Sequence, residues 1–283
     1  MVESLTNKYK LTELLNKINL PRSTYYERLN KVKKPDKYAQ LKEFITQTYY
    51  DSNSTYGYRR IWKRSLKAGF KNSPDTVRRL MGKLNLKVTI YSRHTSGYSS
   101  FKGNIGKKAP NILKQEFKET EPLKVLHTDV TQVRLQKGKW GYISAVLDQA
   151  SGEILSYSVS SSPNELMIKD TLDKLKQNID PSLNPILHSD QGWHYQLKYY
   201  RDILKEMNIK QSMSRKGNCH DNAPIESFFN LLKRECLYRY NILDLDQLKQ
   251  LVDEYITWYN NDRISLKRKG LSPVEYREQS MIS

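Results

Sequence analysis

Residues 125–160 read VLHTDVTQVRLQKGKWGYISAVLDQASGEILSYSVS, and this stretch decides the fold. VLHTDVTQV at 125–133, WGYISAVLD at 140–148 and EILSYSVS at 153–160 are all rich in β-branched and aromatic residues and read as strands. The joins are short: LQKGK carries one turn glycine and QASG another. Strands joined so briefly run antiparallel, because a parallel return needs a dozen residues or more.

Toward the C-terminus the pattern changes. A helix is expected at about 164–178, a short strand PILHSD at 185–190, a helix near 194–207, a strand IKQSMS at 209–214 and a long helix from about 222. The order β-β-β-α-β-α-β-α describes an α/β, RNase H-like core, a mixed sheet with helices on both faces.

Toward the N-terminus, Gly97, Gly103, Gly106 and Pro110 stand too close together for regular structure, and 91–121 reads as a basic linker. Before it lie two candidate helix-turn-helix units. In 8–30, Leu11, Leu14, Leu15 and Ile18 form one apolar stripe before Pro21 and Ser23 open a second helix. In 56–86, Ser73 is a good N-cap with Pro74 at the first helical position, and Val77, Leu80, Met81 and Leu84 then recur at helical spacing. The expected domains are a helical DNA-binding region at 1–90, the linker at 91–121, the core at 122–240 and a C-terminal helix and tail at 241–283.

Charge supports that division. The net charge of the 283 residues is +18, and residues 1–120 hold 26 Lys and Arg against 9 Asp and Glu, whereas the remainder holds 22 against 21. A surplus confined to the helical region and linker calls for a polyanion, and nucleic acid is the candidate. Arg59, Arg60, Arg78 and Arg79 are the candidate DNA contacts, since the second helix of such a unit enters the major groove. A plain helical hairpin with solubilising arginines is the alternative for either unit taken singly.

Other classes are excluded. No run of about 18 apolar residues and no apolar N-terminal segment exists, so a cytoplasmic, non-membrane protein is expected. The two cysteines, Cys219 and Cys236, have no CxxC spacing, and none precedes them, which argues against a zinc finger or a disulfide framework and leaves them as buried or free thiols. No internal repeat or heptad array suggests a solenoid or coiled coil.

Three carboxylates suit metal-assisted phosphoryl transfer, which needs oxygen ligands from separate elements to converge on a pair of ions about 3.5–4 Å apart. Asp129 sits mid-strand among Val125, Leu126, Val130 and Val133, where an unpaired charge is costly. Asp190 ends the fourth strand in HSDQG. Glu226 lies in the first turns of DNAPIESFFNLLKRE, with thirty-five residues between it and Asp190. Each alone reads equally as a cap or a dipole partner. Asp148, beside Ser151 and Gly152, fits ordinary turn chemistry and is left out. Lys233 lies seven residues past Glu226, within about 20° of the same helix face, with Asn230 between.

HTDVT, HSDQG and DNAPIESFFNLLKRE together resemble the DDE motifs of bacterial insertion-sequence transposases, in particular the OrfB product of the insertion-sequence-three family, and more distantly retroviral integrases. YGYRRI at 56–61 and WYNNDRISLKRKGLSPVEYR at 258–277 extend the resemblance over nearly the whole chain. It implies metal-dependent nicking at element ends, then attack of the freed 3′ hydroxyl on a second phosphodiester. It also implies Asp129, Asp190 and Glu226 as catalytic ligands of two Mg2+ or Mn2+ ions, and Lys233 as a DNA contact near the cut. The implied partners are terminal inverted repeats, target DNA, further copies of the chain on DNA, and an upstream-frame protein, separate or fused. The family usually carries a His soon after the Arg that matches Arg263, whereas this chain has Ile264 and Ser265. A noncatalytic DNA-binding regulator derived from a transposase, and a ribonuclease or junction nuclease on the same fold, are the competing expectations.

Overall fold

The computed structural model describes residues 5–6, 8–33, 35–90, 108–113, 120–215 and 222–282, apart from the side chains of 31–33. Five strands form one sheet in the order β3-β2-β1-β4-β5, with β1 Val125–Arg134, β2 Trp140–Asp148, β3 Ile154–Ser160, β4 Ile186–Ser189 and β5 Lys210–Met213. The first three are antiparallel, and β4 and β5 are parallel to β1. The strand order is that of the RNase H-like core expected from the sequence.

Alternation along the strands feeds a different core on each face. Leu126, Val146, Leu155 and Leu187 pack against Met167, Ile168, Leu172 and Leu175 of helix α6 (Glu165–Asn178) and against Tyr200 and Leu204 of α7 (Lys198–Glu206). Val133, Ile143, Ala145, Leu147 and Ile154 meet Ile225, Phe228, Phe229 and Leu232 of α8 (Ala223–Glu235) and Leu248, Val252, Tyr255, Ile256 and Tyr259 of α9 (Leu245–Asn261). The 241–283 segment therefore shares its core with the sheet. Gly141 permits the docking: a Cβ there would stand 2.3 Å from Cδ2 of the fully buried Leu248.

The N-terminal region holds α1 (Leu11–Lys17), α2 (Arg22–Lys33), α3 (Ala39–Asp51), α4 (Tyr58–Lys67) and α5 (Pro74–Lys83). Ser73 caps α5 by accepting from the Thr76 amide, and Val77, Leu80 and Met81 are buried. Helix α3 was not anticipated, although Leu41, Ile45 and Tyr49 recur every four residues along it and are buried. These side chains, with Tyr56 and Ile61, form a third core that also contains Ile264 and receives Trp258. The Tyr56 hydroxyl donates to the Asp262 carbonyl at 3.0 Å and accepts from the Ile264 amide at 2.8 Å. Ile264 is thus a plug in the helical unit.

Most of the expected linker, 91–107 and 114–119, lies outside the described residues. Residues 108–113 lie along β5: the Met213 amide donates to the Pro110 carbonyl and the Ile112 amide to Ser212 Oγ. The helix expected near 194 opens as a 3-10 turn, Trp193–Gln196, and becomes α7 only at Lys198. Helix α10 (Pro273–Ile282) closes the chain. Among the described residues no helix is long and apolar enough to cross a membrane. Cys236 is a buried free thiol whose pKa is pushed up to about 12 by burial, and Cys219 lies outside the described residues.

Candidate active site

Asp129 lies on β1 with the parity of Val133, so its side chain is on the face that α8 covers, opposite the small Ala145 of β2. Asp190 follows the last residue of β4, the strand parallel to β1 on its other side. Glu226 is in the first turn of α8, with a proline at the helix start. All three are half-buried. Asp129 Oδ1 accepts from the Val130 amide at 2.8 Å, and Asp190 Oδ1 from the Gly192 amide at 2.8 Å.

The three carboxylates act on one another. Withdrawal from solvent, then the charges of Asp190 and Glu226, hold the Asp129 carboxyl well above the usual carboxylate range, while the Val130 amide and Lys233 pull the other way. Burial lowers the proton affinity of the Lys233 ammonium, and Asp129 counters it. Tyr195, buried on the 3-10 turn, feels both Asp129 and Asp190, and its phenol pKa is raised, foremost by burial. Among the described residues no group of three or more His, Cys, Asp or Glu is drawn tightly enough to cage an ion unaided. The donor set of the coupled three is carboxylate oxygen alone, which suits a hard cation such as magnesium.

Behind Asp129 lies a network that sequence reasoning missed. His127, two residues earlier on the same face, is fully buried, and burial lowers its pKa, so the ring is neutral. Its Nδ1 meets Asn222 Oδ1 at 2.8 Å and its Nε2 meets the Gln149 side-chain amide at 2.7 Å. Because Asn222 Nδ2 donates to the Thr128 carbonyl at 3.0 Å, Asn222 Oδ1 must accept, which places the ring proton on Nδ1. Nε2 then accepts, and the Gln149 amide nitrogen, otherwise without a partner among the described residues, satisfies it once that amide is turned end for end. Asn222 is the N-cap residue of α8, yet its side chain makes no cap and is spent on β1. The strand bearing Asp129 and the helix bearing Glu226 are thereby pinned together near these two carboxylates. The signal available in the sequence was the HTD triplet itself.

The remaining candidates divide. Asp148 is fully buried and locks the turn, accepting from the Leu123 amide and from Ser151 N and Oγ. Arg59, Arg78 and Arg79 are exposed: the first two stand over the Tyr58 ring at 5.5 and 5.9 Å, and Arg79 over Tyr38 at 5.6 Å. Arg60 turns inward, 5.3 Å over the Tyr56 ring and 3.8 Å from Glu235 Oε1, which removes it from the outward set. Arg263 is buried against the same glutamate.

Models of the integrase core domain match residues 119–219 and 226–281, and a model of an HTH-like domain matches 35–94. The chain is 44% identical over 99% of its length to the putative transposase InsK for insertion sequence element IS150 of Escherichia coli, covering 98% of that protein. It is 26% identical over 99% of its length to the transposase InsF for insertion sequence IS3A of the same species, covering 98% of that protein. The HTLV-2 integrase catalytic core in complex with magnesium aligns at a TM-score of 0.43 and 18% identity over 56% of this chain and 97% of that one, too slight a likeness to carry an argument.

Proposed function

The chain belongs to the insertion-sequence-three family of DDE transposases, and from that premise we propose that Asp129, Asp190 and Glu226 hold its divalent cations, two magnesium or manganese ions. It is a polynucleotidyl transferase of DNA transposition. One observation carries the assignment of ligands: a carboxyl from the central strand, one from the end of its parallel neighbour and one from a covering helix are close enough to shift the proton affinity of Asp129 together. Such a cluster is electrostatically incomplete without a cation.

When bound, the ion pair supplies activation of the attacking oxygen and neutralisation of the leaving one. The chain's own groups do the rest. Asp129, fixed by the Val130 amide, and Asp190, fixed by the Gly192 amide, present oxygens from adjacent parallel strands. Glu226 closes the set from above, at a height set by the Asn222–His127 link. Lys233, on nearly the same face of α8, steadies the DNA phosphate beside the cut. The HTH-like unit carries Arg59, Arg78 and Arg79 toward the terminal repeats, and copies of the chain assemble on paired ends and target DNA, with an upstream-frame protein as a further partner. The place of action is the cytoplasm, on the nucleoid while DNA is held.

The test is magnesium-dependent joining of a labelled 3′ end to a second duplex. Wild type should join and Asp190→Asn should not. Equal joining by both would remove the three carboxylates from the chemistry, and a chain that binds ends without cutting them would be a regulator.

A further inference from the structure

A cleft of about 680 Å³ opens beside α8 on the flank next to Glu226. Its walls are the β2–β3 turn, the Ala223, Ser227 and Leu231 side of α8, and the segment 263–268. Ser227 is one residue past Glu226, so the cleft faces about 100° around the helix from the carboxylate edge. Arg60, Arg263, Lys267 and Arg268 line it, and among the described residues no carboxylate does.

The cations fall into two sets. Arg60 and Arg263 lean on Glu235 at the back. Lys267 and Arg268 stand at the lip on a 3-10 turn, Leu266–Arg268, and among the described residues neither makes an ion pair with a carboxylate. Arg268 is also held in place. Gly152, at φ +68°, leaves a space that the guanidinium fills, since a Cβ there would fall 1.6 Å from its NH2 nitrogen. A guanidinium packed against a glycine turn has already given up part of its rotamer freedom, and its planar fork suits a multi-toothed contact with an oxyanion.

Resting on the transposase reading above, we propose that this cleft is a DNA backbone site: Lys267 and Arg268 each neutralise a phosphate of the strand that continues past the carboxylate edge. Backbone contacts of this kind fix the register of the duplex without reading its sequence. They also release counterions, so each phosphate contributes about 0.9 to the slope of log affinity against log salt.

The experiment uses the full chain and a duplex carrying its element's end, with binding followed over a range of salt. Lys267→Ala/Arg268→Ala should reduce the slope by about 1.8, and should do so equally on unrelated duplex DNA. A charge-matched control, Lys169→Ala/Lys205→Ala, removes two exposed lysines from α6 and α7 and should leave the slope unchanged. An unaltered slope in the first variant, with wild-type thermal stability, would overturn the site. So would an equal fall in the control, because general charge would then be the cause. Joining activity of the wild-type preparation separates the two readings: if it joins ends while the slope is unaltered, the cleft assignment falls alone. If it neither binds nor joins, both fall.

Discussion

Arg263 grips Glu235 through two parallel N–H···O bonds of 2.7 Å each, with both side chains almost fully buried. Tyr255 donates a third bond to the same carboxylate at 2.9 Å. Glu235 ends the helix that Glu226 begins, so α8 is fixed at one end by His127 and at the other by Arg263. Removing one partner of a buried ion pair leaves a charge without compensation. Arg263→Ala should cost about 3–5 kcal/mol of stability, and Arg263→Lys should recover little because a point charge cannot reproduce the two-toothed contact. Denaturant unfolding checks both; a loss below 1 kcal/mol for the alanine variant would show that the pair is dispensable.

The carboxylates should behave as a unit. Asp129→Asn, Asp190→Asn and Glu226→Gln are each expected to abolish nicking and joining together, with little further loss in double variants and with DNA binding retained. Near-normal nicking by Glu226→Gln would reduce that residue to a structural role. Gel shift beside a nicking and joining assay measures the separation.

His127 and Asn222 are assigned no ligand role; they hold in place the strand and the helix that carry two of the proposed ligands. Asn222→Ala should lower the nicking rate by roughly 10–100-fold and raise the magnesium concentration needed for half-maximal rate, beside a stability loss on the order of 1–3 kcal/mol from the buried partners left unpaired. A uniform loss of rate at every magnesium concentration would point to misfolding and not to a loosened Glu226.

The arginines expected to touch DNA separate into two classes. Arg59→Ala, Arg78→Ala and Arg79→Ala should each weaken DNA binding and flatten its salt dependence, since these side chains are exposed over aromatic rings. Arg60→Ala should instead lower stability and leave the salt slope in place, because its guanidinium faces Glu235. Swapped outcomes would reverse the assignment.

His194 sets a limit in acid. It is buried, neither ring nitrogen has a partner among the described residues, and burial lowers its pKa to about 4. The ordinary value is about 6.5, so the unfolded chain takes up this proton first, and the stabilisation present above pH 6.5 is lost as pH falls toward 4. The loss is on the order of 3 kcal/mol. His194→Phe should flatten the stability curve over that window; an unchanged curve would place the acid sensitivity elsewhere.

The sheet was legible because its strands are rich in β-branched and aromatic residues. The carboxylates stood out because a charge amid Val125, Leu126, Val130 and Val133 conflicts with burial. What escaped were relationships across long separations. Nothing local to Asn222 says that it binds a histidine ninety-five residues earlier, and nothing in YGYRRI says which of two adjacent arginines turns inward. Local pattern gives a face, and only packing supplies the partner. Helix α3 is different, since its four-residue repeat was present and its polar remainder concealed it.

Ile264 is 1% exposed within a core otherwise built from residues 41–81. The helices α3, α4 and α5 therefore wait for a residue made long after them before their interior is filled. A protein shortened ahead of this residue would lose the side chain that completes its own beginning, along with the Tyr56 bonds that anchor it. Synthesis itself thus becomes a checkpoint: until Ile264 has been made the helical unit is unfinished, and only then are the arginines of α4 and α5 set on a solid base.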